Sequence, residues 1–228
     1  YEIPRSDWSS DVCSSDLAIF IILGYDKQER LVKDMLNYED FEEKTLQRRE
    51  IFKGKIIDVF LDDVALPTGG TAKRELVFHS GAVAMIPLTA EGKIVLVKQF
   101  RKPLEQVILE IPAGKIDPGE ENQLEMTAMR ELEEETGYRA GQLTYINSMY
   151  LSPGFANEKL ALYLATDLQK VENPRPQDED EILELYELTI AEAKAEVAKG
   201  TICDAKTLFA IQYWELYLLQ RQFKEDTQ

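Results

Sequence analysis

The sequence predicts an α/β fold with a small antiparallel β-subdomain on its N-terminal side. Three observations predict it. Short β-branched and aliphatic runs recur from Thr45 to Leu188. One amphipathic helix stands among them, from about Leu124 to a stop at Gly137. A longer helical stretch closes the chain, roughly Ala205 to Phe223.

Each element has its local reason. From Thr45 to Phe78 the pattern is strand-like, carried by Ile51, Ile56, Ile57, Val59, Leu61, Val64 and Leu66. Pro67-Thr68-Gly69-Gly70 is a strong turn signal, and Glu75 to Phe78 reads as a returning strand. So few strands bury little alone, so this unit is expected to pack on a partner. Gly81–Leu88 and Lys93–Phe100 are apolar runs joined by Ala90-Glu91-Gly92, a hairpin signal. Val107–Ile111 leads into Pro112-Ala113-Gly114. Gly114, Pro118 and Gly119 mark a loop before the central helix. In that helix Leu124, Ala128 and Leu132 recur every four residues, one apolar face. Leu143–Tyr150 and Leu160–Ala165 read as strands around a loop, Leu151–Glu158. Asn173–Gln177 is a Pro-rich connector to the acidic run Asp178-Glu179-Asp180-Glu181, and Ile182–Leu188 reads as a strand. Ile190–Lys199 is a short helix ended by Gly200, and Asp204 is the expected N-cap of the last helix.

Composition narrows the function classes. The chain has 228 residues, 44% hydrophobic and 30% charged, ordinary for a soluble globular protein. Its formal net charge of −16 argues against nucleic-acid binding, which leaves a basic footprint. Two cysteines, Cys13 and Cys203, make no disulfide framework and no zinc cluster. A single histidine, His79, leaves no basis for a histidine triad and reads as a subdomain-junction residue. The apolar run Leu17–Leu23 is too short to span a bilayer, and no membrane association is expected. Asp7–Leu17, DWSSDVCSSDL, resembles the translation of a sequencing-adapter oligonucleotide. Residues 1–34 are therefore expected to be a non-native leader, with Met35 the natural start.

The central helix carries the chemistry. Glu131, Glu134 and Glu135 lie on one face, at the spacings that bring helix side chains together. Like charges there repel, so a cation between them is the natural explanation. Hard divalent cations such as Mg²⁺ take oxygen ligands and bridge to phosphates. The rival reading is a solvated glutamate-rich surface.

The stretch Gly114 to Tyr138, GKIDPGEENQLEMTAMRELEEETGY, decides between them. It resembles the Nudix box, the signature of hydrolases that cleave nucleoside diphosphates linked to another group. Gly114 and Glu120 have the family spacing, and Arg130-Glu131-Leu132-Glu133-Glu134-Glu135-Thr136-Gly137-Tyr138 fits the second half. Nine residues rather than seven separate Glu120 from Arg130, which puts the place of Glu120 in question. The resemblance covers about 45–223 and implies an α/β/α sandwich with a mixed sheet. It implies domains at 35–78, for dimerisation and adenine binding, and at 79–228, the hydrolase. The N-terminal β-subdomain, Glu110-Ile111-Pro112-Ala113-Gly114, Gln99-Phe100-Arg101, and Pro153 sixteen residues beyond Gly137 are similar to ADP-ribose pyrophosphatases.

That resemblance implies a cytoplasmic Mg²⁺-dependent enzyme, with Mn²⁺ as substitute, that converts ADP-ribose to AMP and ribose 5-phosphate. Glu131 and Glu135 are the expected metal ligands, completed by the Ala113 carbonyl and Glu181. Glu134 is a ligand or lies just behind the ligands, and Arg130 orients the glutamates by ion pairing. Glu179 is the expected general base, with Glu158 its rival, the latter better suited to substrate or dimer contact. Arg101 and Arg74 are the expected phosphate and ribose contacts, an arginine fork matching phosphate geometry. Ile56 and Glu75 fall where the family contacts the adenosine half, and Ser152, Pro153 and Gly154 complete the substrate set. The small-molecule nucleotide-sugar substrate would sit in a homodimer that exchanges the β-subdomain. Two alternatives stay open: a hydrolase of another nucleoside diphosphate sugar or dinucleotide, and a non-catalytic ligand-sensing domain. The intact glutamate set and the lack of a basic appendage count against the second.

Overall fold

A computed structural model describes residues 37–177 and 181–225. The expectations for residues 1–34 and for Glu179 fall outside that range. The chain divides into two compact units. One runs to Arg49 and takes in Leu61–Arg74; the other holds Glu50–Phe60 and everything from Glu75 onward.

Three strands, β1 (Lys44–Lys53), β2 (Ile57–Ala65) and β3 (Thr71–His79), form a sheet in sequence order, with the unit boundary falling inside each strand. In the first unit a one-turn helix, α1 (Tyr38–Phe41), precedes β1. The expected turn closes where Leu66 N donates to Gly70 O at 3.1 Å and Gly69 N to Leu66 O at 3.0 Å. Asp62 is buried and accepts from Arg48 Nε at 2.8 Å, Arg48 Nη2 at 2.7 Å and Thr45 Oγ1 at 3.1 Å. The Arg48 hydrogen bonds hold the Asp62 carboxyl below the usual carboxylate range, against the effect of burial. β1 is exposed along its whole length, Leu46, Ile51 and Phe52 included.

The second unit is an α/β sandwich built on two sheets. One sheet runs β7-β4-β9-β8, from Ala113–Lys115, Ala82–Pro87, Lys159–Lys170 and Tyr138–Tyr150. The other runs β10-β5-β6, from Glu184–Leu188, Ile94–Arg101 and Gln106–Glu110. β4 and β9 are parallel and the other recorded pairings are antiparallel, so the first sheet is mixed, as expected.

β4 shows why the layers form. Its side chains alternate between two cores. Val83 and Met85 join Ala161, Tyr163 and Ala165 under Ala128 and Leu132 of α2 (Leu124–Thr136). Ala82, Ala84 and Ile86 join Leu96, Leu109, Leu160 and Leu162. That second core is completed by Ala193 of α3 (Ile190–Lys199) and by Ala210, Ile211 and Trp214 of α4 (Ala205–Glu225). No helix among the described residues is long and apolar enough to cross a membrane.

Several expectations shift. The turn at 89–92 forms, with Gly92 N on Thr89 O at 3.0 Å, but β4 and β5 share only the bridge Leu88–Ile94. They part into different sheets, each as an inner strand, with all of β4 and Ile94–Val97 of β5 buried. β8 starts at Tyr138, directly after Gly137, five residues earlier than its apolar pattern implied. β10 starts at Glu184, leaving Ile182 exposed. The stops and caps hold. Gly137 takes φ 68°, a left-handed conformation that suits glycine. Thr189 and Glu192 form a capping box on α3, and Asp204 Oδ2 accepts from Thr207 N at 3.2 Å at the start of α4.

Leu162 is fully buried on the central strand β9. Leu162→Ala is expected to lower stability by about 2–5 kcal/mol, through lost transfer energy and the cavity left behind. Urea unfolding monitored by circular dichroism measures it; a loss below about 1 kcal/mol would mean that the core collapses around the smaller residue.

Candidate active site

The site is built from α2 and the backbone that approaches its middle. After β6 the chain crosses at Ile111 and Pro112, pinned where Ile111 N donates to Thr207 Oγ1 and Met85 N to Pro112 O, both at 3.0 Å. This sets Ala113 and Gly114 against the helix. Ala113 N donates to Glu135 Oε2 at 3.1 Å. A Cβ on Gly114 would fall inside the Glu131 carboxyl, so only glycine admits so close an approach.

Arg130 is the counter-charge on this face. Its guanidinium lies 2.8 Å from Glu134, 2.9 Å from Glu131, 3.0 Å from Glu120 and 3.6 Å from Asp117. Glu120 also accepts from Thr127 Oγ1 at 3.0 Å and Asp117 N at 3.3 Å. Despite the longer spacing, Glu120 reaches the arginine.

Glu131 and Glu135 sit one turn apart and are both largely buried. Burial first, then the charge of Glu134 and Glu181, pushes Glu131 up to about 7, although Arg130 pulls the other way. Glu135 is pushed well above the usual range by burial and by Glu181 and Glu131, against the Ala113 hydrogen bond and the charge of Arg101. The structure therefore brings Glu181 within electrostatic range of both. The donor set is all oxygen and short of positive charge, which fits a divalent cation. Among the described residues, however, no three His, Cys, Asp or Glu side chains converge closely enough to hold one unaided. A backbone carbonyl or water would have to complete the shell.

Arg101 is held by Glu110, Nε at 2.6 Å and Nη2 at 3.0 Å. Ile56 lies on the rim of a cavity of about 470 Å³, with Phe78, His79, Lys115, Asp117 and Asn157 among its walls. His79 Nδ1 accepts from Gly81 N at 2.9 Å and His79 N donates to Asn157 Oδ1 at 2.8 Å, a joining role rather than a catalytic one. Ser152 O caps its loop, accepting from Phe155 N and Ala156 N, while Pro153 and Gly154 are exposed. Glu158 is half-buried and its backbone oxygen receives Leu151 N at 3.4 Å. Arg74 pairs with Glu43 in the first unit, and Glu75 is exposed on β3.

A NUDIX domain model matches residues 78–209, and a model of the nucleoside diphosphate sugar hydrolase N-terminal domain matches residues 43–77. The chain belongs to the Nudix family. It is 53% identical to the ADP-ribose pyrophosphatase of Bacillus subtilis (strain 168) over 178 residues, 78% of this chain and 95% of that one. It is 51% identical to the methanol dehydrogenase activator of Bacillus methanolicus, covering 77% and 94%. A crystal structure of an ADP compounds hydrolase superposes with a TM-score of 0.68 over 79% of this chain and 96% of that one; at 22% identity it shows the fold.

Some Nudix-box residues do work that the sequence left unread. Glu133, buried, accepts from Arg139 Nη2 at 2.8 Å and from Arg175 N at 3.3 Å. It ties the connector before the acidic run onto α2. Glu110 and Lys206 form a buried ion pair beneath Arg101. A lysine in the first turn of an amphipathic helix carries no sequence signal for such a partner.

The raised Glu131 carboxyl predicts a pH signature in metal-free protein. Below about pH 4.5 it is protonated folded and unfolded alike; between 4.5 and about 7 only the unfolded chain releases its proton, so native stability falls as pH rises. With chelator present, Glu131→Gln is expected to be more stable than wild type by about 1–3 kcal/mol at pH 8, after discounting for solvent screening. The difference is expected to vanish near pH 4. Equal stability at pH 8 in urea titrations would refute the strained carboxylate.

Proposed function

We propose that this chain hydrolyses ADP-ribose to AMP and ribose 5-phosphate with the help of Mg²⁺, or Mn²⁺ in its place. The observation that carries the reading is the pair Glu131 and Glu135, buried one turn apart against Ala113 and Gly114 with too little positive charge between them. The name of the Bacillus subtilis relative supports the substrate.

Glu131, Glu135, Glu181 and the Ala113 carbonyl would hold the cation. A bound divalent ion neutralises pyrophosphate charge and eases deprotonation of water. Arg130 keeps Glu134 and Glu120 turned toward the same face, and Arg175, 3.9 Å from Glu134, adds a second positive charge. Arg101 offers its remaining donors to a phosphate oxygen. Glu179 takes the proton from the attacking water, with Glu158 the rival; the charge of Glu181 acts on Glu131 and Glu135. Ile56, Arg74, Glu75, Ser152, Pro153 and Gly154 would bind the rest of the substrate. A second reading, another nucleoside diphosphate sugar, is favoured by the name of the N-terminal domain model.

A substrate panel assayed for AMP release distinguishes the two. ADP-ribose is expected to give the highest kcat/KM, and Glu135→Gln at saturating Mg²⁺ is expected to lose at least about a hundredfold in kcat while staying folded. Near-normal turnover by that variant would end the metal-site reading; a preference for another diphosphate sugar would select the second substrate.

The exposed apolar residues of β1 support a homodimer that exchanges the β-subdomain, because an uncovered strand invites pairing with another chain. A Glu135→Gln chain mixed with an Arg74→Ala chain is expected to regain activity through one intact shared site. Subunit exchange without recovered activity, or a monomer by sedimentation, would contradict the shared site.

A further inference from the structure

Arg101 is the outer end of an ionic chain whose inner members the proposed reaction does not use. Glu110 is 1% exposed at the end of β6. It accepts twice from Arg101 and once, through Oε2, from Lys206 Nζ. Lys206 is buried too, and its ammonium lies 3.0 Å from Asp204 Oδ2. That oxygen also caps α4 through Thr207 N. The charges alternate along the chain: Arg101, Glu110, Lys206, Asp204.

Such an arrangement is weak evidence for stability. Desolvation offsets much of the attraction, and apolar replacement of a whole buried pair is often neutral. Geometry offers another reason for it. Glu110 engages Nε and Nη2, one edge of the guanidinium, and among the described residues Nη1 and the second Nη2 proton have no acceptor. Arg101 is 40% exposed on its side chain and its charge acts on Glu135. An unclamped arginine samples many rotamers, while a bidentate carboxylate fixes its plane. Lys206 tempers the clamp. Without it two carboxylates, Glu110 and Asp204, would stand behind Arg101 uncompensated and compete with a phosphate for its charge.

We propose that Glu110 and Lys206 are positioning residues for pyrophosphate recognition, clamping one edge of Arg101 so that its other donors face a phosphate oxyanion at the Glu135 side. This rests on the hydrolase reading above and adds the means by which the chain aims its phosphate contact.

The test uses the full chain and removes the pair together, Glu110→Gln with Lys206→Met, so that neither is left charged without the other, while Asp204 keeps its cap on Thr207 N. Urea unfolding is expected to stay near wild type, while kcat/KM on the best substrate of the panel falls about ten- to hundredfold, the scale of a misplaced contact. Arg101→Ala is expected to lose as much. Added to Arg101→Ala, the double change is expected to alter kcat/KM by less than about twofold, because it acts through that arginine. A purely structural brace would give losses that multiply. A folded double variant with wild-type kcat/KM, or multiplying losses, overturns the proposal. If the double variant does not fold, Lys206→Met, which leaves Glu110 paired with Arg101, carries the same comparison, with Lys206→Arg expected to restore activity. If the wild type hydrolyses no member of the panel, the hydrolase reading falls. The clamp is then read from ADP-ribose affinity by calorimetry, where the same loss and the same dependence on Arg101 are expected, and their absence overturns it.

Discussion

The guanidinium of Arg130, set among Asp117, Glu120, Glu131 and Glu134, is the contact on which the rest of the site depends. Three glutamates on one helix face repel at the spacings that α2 imposes. Without a counter-charge the cheapest response would be to splay the side chains into water or to fray the helix. Arg130 prevents both while itself half-hidden, and its pKa is driven upward by Glu120, Glu131 and Glu134 despite burial. Yet one guanidinium cannot neutralise five or six carboxylates. Glu135 lies beyond the hydrogen bonds of Arg130, and its carboxyl is pushed well above the usual range, by burial first. The residual charge imbalance is therefore localised at Glu131 and Glu135, where Ala113 and Gly114 approach closely.

The backbone of 111–114 converts that imbalance into a defined place. It passes from the irregular link Ile111-Pro112 into the start of β7, and its polar groups reach outward: Ile111 N to Thr207, Pro112 O to Met85 N, Ala113 N to Glu135. Each partner belongs to a different element, α4, β4 and α2. The segment is fixed from three sides, and a shift in any of those elements would move its contacts with Glu131 and Glu135. Glu110 adds a fourth tie from the same strand end, through Lys206 to the N-terminus of α4. The C-terminal helix, far away in sequence, thus sets the geometry of the Nudix box.

Much of this was legible in the sequence, and the reasons are local. The box helix announced itself by Leu124, Ala128 and Leu132 and by Gly137, because amphipathic periodicity and a left-handed stop are properties of short windows. The glutamate face followed from the same spacing. What stayed hidden depends on tertiary partners. The pairing of β4 with β9 and of β5 with β10 could not be read from two apolar runs with a tight turn between them, since the turn is the same whether the strands pair or part. Nor could Glu133 be told from its neighbours in a run of glutamates, although it faces Arg139 and the connector rather than the metal side. Glu110 stood beside the box, but its burial is explained by Arg101 together with Lys206, ninety-six residues away.

Charge gives the last constraint. The chain carries a formal net charge of −16 and is proposed to act on a dianionic pyrophosphate. The cations described around the box do not attract such a substrate freely, for Arg130, Arg101 and Lys206 are each bound to one or more carboxylates. An incoming phosphate must compete with those carboxylates or arrive with positive charge of its own. A divalent ion held by the glutamates would satisfy both sides at once. It would relieve the repulsion that raises Glu131 and Glu135, and it would offset charge on the phosphates. The same repulsion that makes the metal-free site electrostatically unfavourable is then the source of its selectivity, because a substrate without a cation meets a surface that rejects it.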